Sequence, residues 1–240
     1  MRAKSLPSPG QLELFSTATS EASLYHQAGD WGFFSLLYSQ LEVPSNMVQL
    51  GLISAGAQRE AAKRAGKHQR SYFLNKMPEV LGNLAEFGDP ARTDIWISQA
   101  EFSAMRRLAI YAMRVALCWV DLDYYSVEAL RDQAPEAVAE LVLRRCVQRK
   151  LPLPSLILSS GCGLQIKWFH EILPAKALPR WNAVQEHLTH AFMDLGADRQ
   201  ARDIARVLRV VGTTNTKNGG RVRPVHVTDD FGDPVRYIFD

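Results

Sequence analysis

Apolar residues are spaced differently in successive stretches of the chain, and the changes of spacing mark its organisation. Residues 1 to about 20 mix Ser, Thr, Pro and Gly with little periodicity, the texture of a flexible tail. Over residues 21–92, apolar runs such as Trp31–Tyr38 and two amphipathic stretches, Gln58–Lys67 and Pro78–Phe87, predict a mainly helical N-terminal region. From Thr93 the pattern alternates between strand and helix periods, which predicts a separate core over residues 93–240. Asp94–Ser98 predicts a strand, Ala100–Ala112 a helix, and Val115–Tyr125 a buried strand ending in acidic residues. Pro135 suits the first turn of a helix running to about Lys150, because its missing N–H would have no partner there anyway.

Two further apolar runs, Leu156–Ser159 and Leu164–Ile172, flank Ser160-Gly-Cys-Gly163 and predict a hairpin. A helix from Pro179 to about Leu195 should stop at Gly196, the residue type that best takes a left-handed conformation. Arg199–Val210 predicts another helix, with Ala201, Ile204, Ala205 and Leu208 on one face and Arg202, Arg206 and Arg209 on another. Val222–Thr228 and Val235–Phe239 flank a turn as a final hairpin, and the abrupt end after it suggests one module of a longer polypeptide.

Composition narrows the setting. In 240 residues, 47% are apolar, enough to bury a substantial core. The net charge of +3 excludes strong bulk attraction to a polyanion and moves the question to local clusters. Cys118, Cys146 and Cys162 form no paired arrangement, which points to a reducing compartment and cytoplasmic location. No stretch approaches the ~18 apolar residues of a membrane span, so a membrane partner is not expected.

The chemistry concentrates in three segments. In a strand, Asp121 and Asp123 would project from one face about 6.6 Å apart, and two such carboxylates invite a hard cation, Mg2+ or Mn2+. Gly161 and Gly163 give a turn open to phosphate oxygens, and the strand after it carries Gln165 and Lys167 on one face. Asp198 stands directly before a predicted helix, where capping competes with metal ligation. Arg209, Asn215 and Lys217 then surround a Gly-Thr-Thr turn with groups that suit phosphates.

With these segments in order, the chain resembles the archaeo-eukaryotic primase superfamily over about residues 93–228, especially the primases of plasmids and mobile elements. Asp121 and Asp123 match its first motif, Ser160 with Gln165 its second, and Asp198 with Arg209, Gly212, Asn215 and Lys217 its third. Gln165 departs from the pattern, since many relatives carry His there; Lys167 is the candidate to supply the missing positive charge.

The resemblance implies an α+β fold, a mixed or antiparallel sheet with helices packed on it. It also implies a primase or primase-polymerase: a nucleotidyltransferase that makes short primers on single-stranded DNA. Asp121, Asp123 and Asp198 would hold two Mg2+ or Mn2+ ions, and Ser160, Gly161, Gly163, Gln165, Lys167 and Arg209 the nucleoside triphosphate. Asn215 and Lys217, with the basic run Lys63, Arg64, Lys67 and Arg70, are candidate nucleic-acid contacts, the last four competing with a plain solvated helix face. A replicative helicase is a further expected partner. Two other readings fit the same residues: a replication initiator that only binds DNA, and a metal-dependent nuclease.

Overall fold

The computed structural model describes residues 50–56, 68–73, 83–87, 89, 91–104, 107–230 and 233–239. In chain order its elements are strands β1 (Leu50–Gly56), β2 (His68–Phe73), β3 (Asp94–Ser98), β4 (Glu101–Phe102) and β5 (Ala112–Leu122), helix α1 (Pro135–Gln148), strands β6 (Leu156–Ser159) and β7 (Leu164–Pro174), and helix α2 (Leu178–Ala191). There follow β8 (Val207–Arg209), β9 (Thr214–Asn215), β10 (Gly220–Arg221), β11 (Arg223–Val227), β12 (Asp229–Asp230), β13 (Asp233–Pro234) and β14 (Arg236–Tyr237). The fold is α+β. One large sheet runs β11-β6-β7-β5-β4-β1-β3-β8, with β2 added on β1 and β14 on β7. Its pairings are antiparallel except β14 with β7.

The central pair is β5 and β7, registered from Arg114 opposite Pro174 to Leu122 opposite Leu164. Both are almost continuously buried, which explains their long apolar runs: each face meets protein rather than water. Trp119, Trp168, Trp181, Phe169 and Phe192 are fully buried and dominate the core.

Helix α2 substitutes for a missing strand beside β5. Trp181 Nε1 donates to Leu117 O at 3.0 Å, and the Gln185 amide clamps Trp119, accepting from its N–H at 3.0 Å and donating to its carbonyl at 2.6 Å. The chain after α2 continues the ladder, with Asp198 N donating to Asp121 O at 2.9 Å and Asp123 N to Gly196 O at 2.8 Å. Gln185 is therefore expected to be stiffly required. Gln185→Leu would leave a buried donor and a buried acceptor without partners, at about 1–3 kcal/mol each. Urea denaturation measures this, and a loss below about 0.5 kcal/mol would mean the clamp does not hold β5.

Helix α1 follows the predicted bounds closely and buries Val138, Val142, Leu143 and Cys146. Its Arg145 grips Asp194 through both carboxylate oxygens at 2.7 Å, tying the end of α1 to the end of α2. The expected β6–β7 hairpin forms, and the segment after α2 ends at Gly196 with φ 95°.

Three expected elements differ. Ala100–Ala112 is not a helix: Phe102, fully buried, pairs with Ala112 as the short strand β4, and Glu101 pairs with Arg114 at 3.0 Å. Arg199–Val210 is a 3-10 turn over Arg199–Arg202 followed by β8, because Leu208 pairs with Ile97 of β3; the three arginines share no helical face. Among the described residues, the final segments meet only next to their turn, where Val235 N donates to Thr228 O at 2.9 Å. β11 joins β6 and β14 joins β7, with the small β12–β13 hairpin between them. Most of the N-terminal region expected to be mainly helical, residues 1–49 with the Trp31–Tyr38 run, 57–67 and 74–82, lies outside the described residues; those described there include strands β1 and β2 and a 3-10 turn over Leu84–Phe87. Among the described residues, no helix is long and apolar enough to cross a membrane.

Candidate functional site

A cleft of about 280 Å³ opens where the end of β5 faces β8. Its floor is acidic, carrying Asp121 and Asp123. Ser160 and Gln165 enter from the hairpin, the latter as the register partner of Asp121. Arg209 lines it from β8, and Asn215 and Lys217 from the loop after it. Residues as far apart in sequence as Trp96 and Lys217 thus meet in one place because β5 and β7 pair and β8 returns along β3.

The carboxylates are close enough to disturb one another. Burial pushes the Asp121 carboxyl up to about 7, and the charges of Asp123 and Asp198 add to the push against opposition from Arg206 and Arg209. Asp123 is raised by partial burial and by Asp198, and is held down by a hydrogen bond from Tyr125 and by Lys217. Asp198 does what capping chemistry dictates: its Oδ1 accepts from Gln200 N at 2.8 Å at the start of the 3-10 turn. Its backbone is bonded to Asp121, so the third carboxylate stands beside the pair without facing the cleft.

The donor chemistry suits a divalent cation in part. Two carboxylates and the Gln165 side-chain oxygen, buried without a hydrogen-bond partner, make an acceptor-rich floor. Among the described residues no three His, Cys, Asp or Glu side chains are gathered to hold a metal ion as they stand, so Asp198 would join only by turning off Gln200.

The glycine turn has a different job from the one its sequence suggests. Gly163 N donates to Ser160 Oγ at 3.1 Å and Gly161 N to Ser159 Oγ at 3.3 Å, so neither N–H is left for a phosphate. Instead the turn locks against the β9–β10 loop. Asn215 Nδ2 donates to Ser160 O at 3.0 Å, and a β-carbon on Gly161 would lie 2.6 Å from Gly220 O. Gly161 holds φ 88°, which a side chain would strain.

Two expected phosphate contacts are also redirected. Lys167 is fully buried and does not line the cleft. Burial lowers its ammonium to about 7, and the charge of Asp121 works the other way. Arg209 is ion-paired with Asp94, whose carboxylate also accepts from Thr216 N at 3.0 Å and from Thr216 Oγ1 at 2.7 Å. The guanidinium lies 5.2 Å from the centre of the Trp96 ring. Lys63, Arg64 and Lys67 lie outside the described residues, and Arg70 falls in the backbone of β2.

The structure adds cleft residues the sequence did not single out: Trp96, Tyr125, Cys162 and Arg206. Lys217 lies 5.0 Å from the Tyr125 ring centre, and Tyr125 bonds Asp123, which joins the basic loop to the acidic floor. Tyr125 was legible in principle, two positions after Asp123. Arg206 was hidden by the helix reading of its segment.

No protein-family model matches the chain. Over 122 residues, 51% of its length, it is 36% identical to a protein of Clostridium perfringens described as a replication protein. The chain is similar to a replication protein. It spans 27% of that relative's length. Among solved structures, the AEP domain of the cyanophage S-2L primase-polymerase is similar at TM-score 0.49 and 16% identity, covering 77% of this chain and 85% of that one. The catalytic domain of primase RepB′, solved with initiator DNA, is similar at TM-score 0.44 and 12% identity, covering 86% of this chain and 84% of that one.

Proposed function

We propose that the chain is the catalytic core of a replication primase, transferring nucleotides from nucleoside triphosphates to a primer on single-stranded DNA. The observation that carries this reading is one cleft that brings the carboxylates of Asp121 and Asp123 together with the ammonium of Lys217, and with Arg206, whose guanidinium is ion-paired with Asp203 at 3.0 Å. Such a combination suits a cation and a polyphosphate side by side. The 36% identity to a replication protein supports the same assignment.

Asp121 and Asp123 would hold Mg2+ or Mn2+ with waters completing the shell, and Asp198 would join them by rotating its carboxylate off Gln200 N. A bound divalent ion supplies charge neutralisation on the triphosphate and a more acidic attacking hydroxyl. The side chains bind and orient. Lys217 faces phosphate oxygens, and Arg206 would reach them by leaving Asp203, while Ser160 and Gln165 fix the tail of the nucleotide from the hairpin. Asn215 holds the turn and loop together through Ser160 O at 3.0 Å, so that Lys217 stays over the cleft. Tyr125, whose ring backs Lys217 at 5.0 Å, would hold that ammonium in place.

The test is incorporation of labelled nucleotides on a single-stranded template with Mg2+ or Mn2+. The expected result is template-dependent product that disappears with chelator. Cleavage of the template without incorporation would replace this reading with a nuclease, and metal-independent binding of DNA alone would replace it with a non-catalytic initiator.

A further inference from the structure

The proposed site has a wall that phosphate chemistry does not explain. In β3 the burial pattern leaves only Trp96 partly open, between Ile95 and Ile97, which are fully buried, and that indole faces the cleft. A large aromatic ring left at the edge of a polar cleft costs apolar exposure unless something covers it. Its neighbour Arg209, the register partner of Trp96 on β8, lies over the ring at 5.2 Å. Arg209 is not poised for a phosphate: its side chain is 15% exposed, and its charge is met by the Asp94 carboxylate, 9% exposed. Thr216 fixes that carboxylate through two more hydrogen bonds, so the guanidinium plane is set before any ligand arrives. A guanidinium held by a carboxylate over an indole makes a fixed cation–π surface, and such surfaces beside phosphate-binding groups take bases.

We infer that Trp96 and Arg209 form a stacking platform for an unpaired nucleobase, held flat by Asp94 and Thr216. This rests on the nucleotide-binding reading of the cleft and deepens it. The base lies against β3 and β8, and the phosphates run toward Lys217. Arg209 thus binds the nucleotide through its plane rather than through paired N–H bonds to phosphate. The base can belong to an incoming nucleoside triphosphate or to a strand threaded through the cleft, since both present the same π-face.

Titration calorimetry on the full chain with three probes separates these cases: ATP with Mg2+, a single-stranded oligothymidylate, and inorganic tripolyphosphate with Mg2+. Stacking on one aromatic ring is worth about 1–3 kcal/mol per base, so Trp96→Ala is expected to weaken a base-bearing probe by about 10- to 100-fold. Tripolyphosphate binding should stay within about twofold. Trp96→Phe keeps a ring and should stay within about threefold of wild type, which a merely structural loss would not allow. Loss with ATP assigns the base to the incoming nucleotide, and loss with the oligonucleotide assigns it to the strand; either supports the platform. Unchanged affinity for both, or an equal loss for tripolyphosphate, overturns it. If wild type incorporates nucleotides while Trp96→Ala binds all three probes normally, only the platform fails. If wild type binds neither ATP nor the oligonucleotide, both readings fail.

Discussion

Asp121→Asn with Asp123→Asn is expected to lower nucleotide incorporation by at least about 100- to 1,000-fold while leaving the protein as stable as before or more so. The loss follows from removing the acceptors that would hold the cation, whose charge stabilisation is worth several kcal/mol. The gain in stability follows from the folded state itself. Asp121 is pushed up to about 7 by burial and by its two carboxylate neighbours, well above an ordinary aspartate. Between the ordinary value and about 7 the native state holds a proton that the unfolded chain has released, so the contribution of this group to stability falls as pH rises through that window. At pH 8 the ionised wild type carries the full penalty, which the neutral variant escapes; near pH 4 the two should converge. Thermal unfolding at both values measures this. Added Mg2+ should raise the melting temperature of wild type at pH 8 and not that of the variant. A double variant that still incorporates nucleotides at wild-type rate would remove these carboxylates from the chemistry.

Gly161→Ala is expected to cost about 2–5 kcal/mol, far more than Gly212→Ala at about 1 kcal/mol. Both glycines hold positive φ, 88° and 82°, so both pay backbone strain. They differ in what a β-carbon would meet. At Gly212 nothing lies within 4 Å, whereas at Gly161 it would come 2.6 Å from Gly220 O and 2.8 Å from Asn215 Cβ. Backbone cannot move aside as a flexible side chain can, so the β9–β10 loop must lift from the hairpin and carry Asn215 and Lys217 with it. Urea denaturation of the two variants separates strain from collision, and equal losses would refute the interlock. A raised KM for the nucleotide in Gly161→Ala should accompany the lost stability.

Much of the site was readable because its chemistry is local. Asp121 and Asp123 are two apart at the end of β5, the second just past the strand, and the β6–β7 hairpin is announced by a glycine turn between two apolar runs. Helix α1 follows from Pro135 and a clean apolar stripe. The misread elements share one cause. Ala100–Ala112 and Arg199–Val210 carry apolar residues at helix-compatible spacings, yet each supplies a short strand whose hydrogen-bond partners are distant: Phe102 on Leu50 and Ala112, and Leu208 on Ile97. A two- or three-residue strand has too little sequence to show a period of two, so only its partner can define it.

The sequence alone determined which groups could do chemistry: an acidic pair on a strand, a tight small-residue turn, and a downstream series of basic and amide side chains. Tertiary structure decided what each group is free to do. It gave the turn N–H groups to serine hydroxyls, sank Lys167 beneath the floor, and committed Arg209 to Asp94 and Trp96. The reason is that residue type fixes charge and hydrogen-bonding capacity, whereas availability depends on burial and on partners that the chain brings from more than a hundred positions away, as Arg209 and Asp94 do.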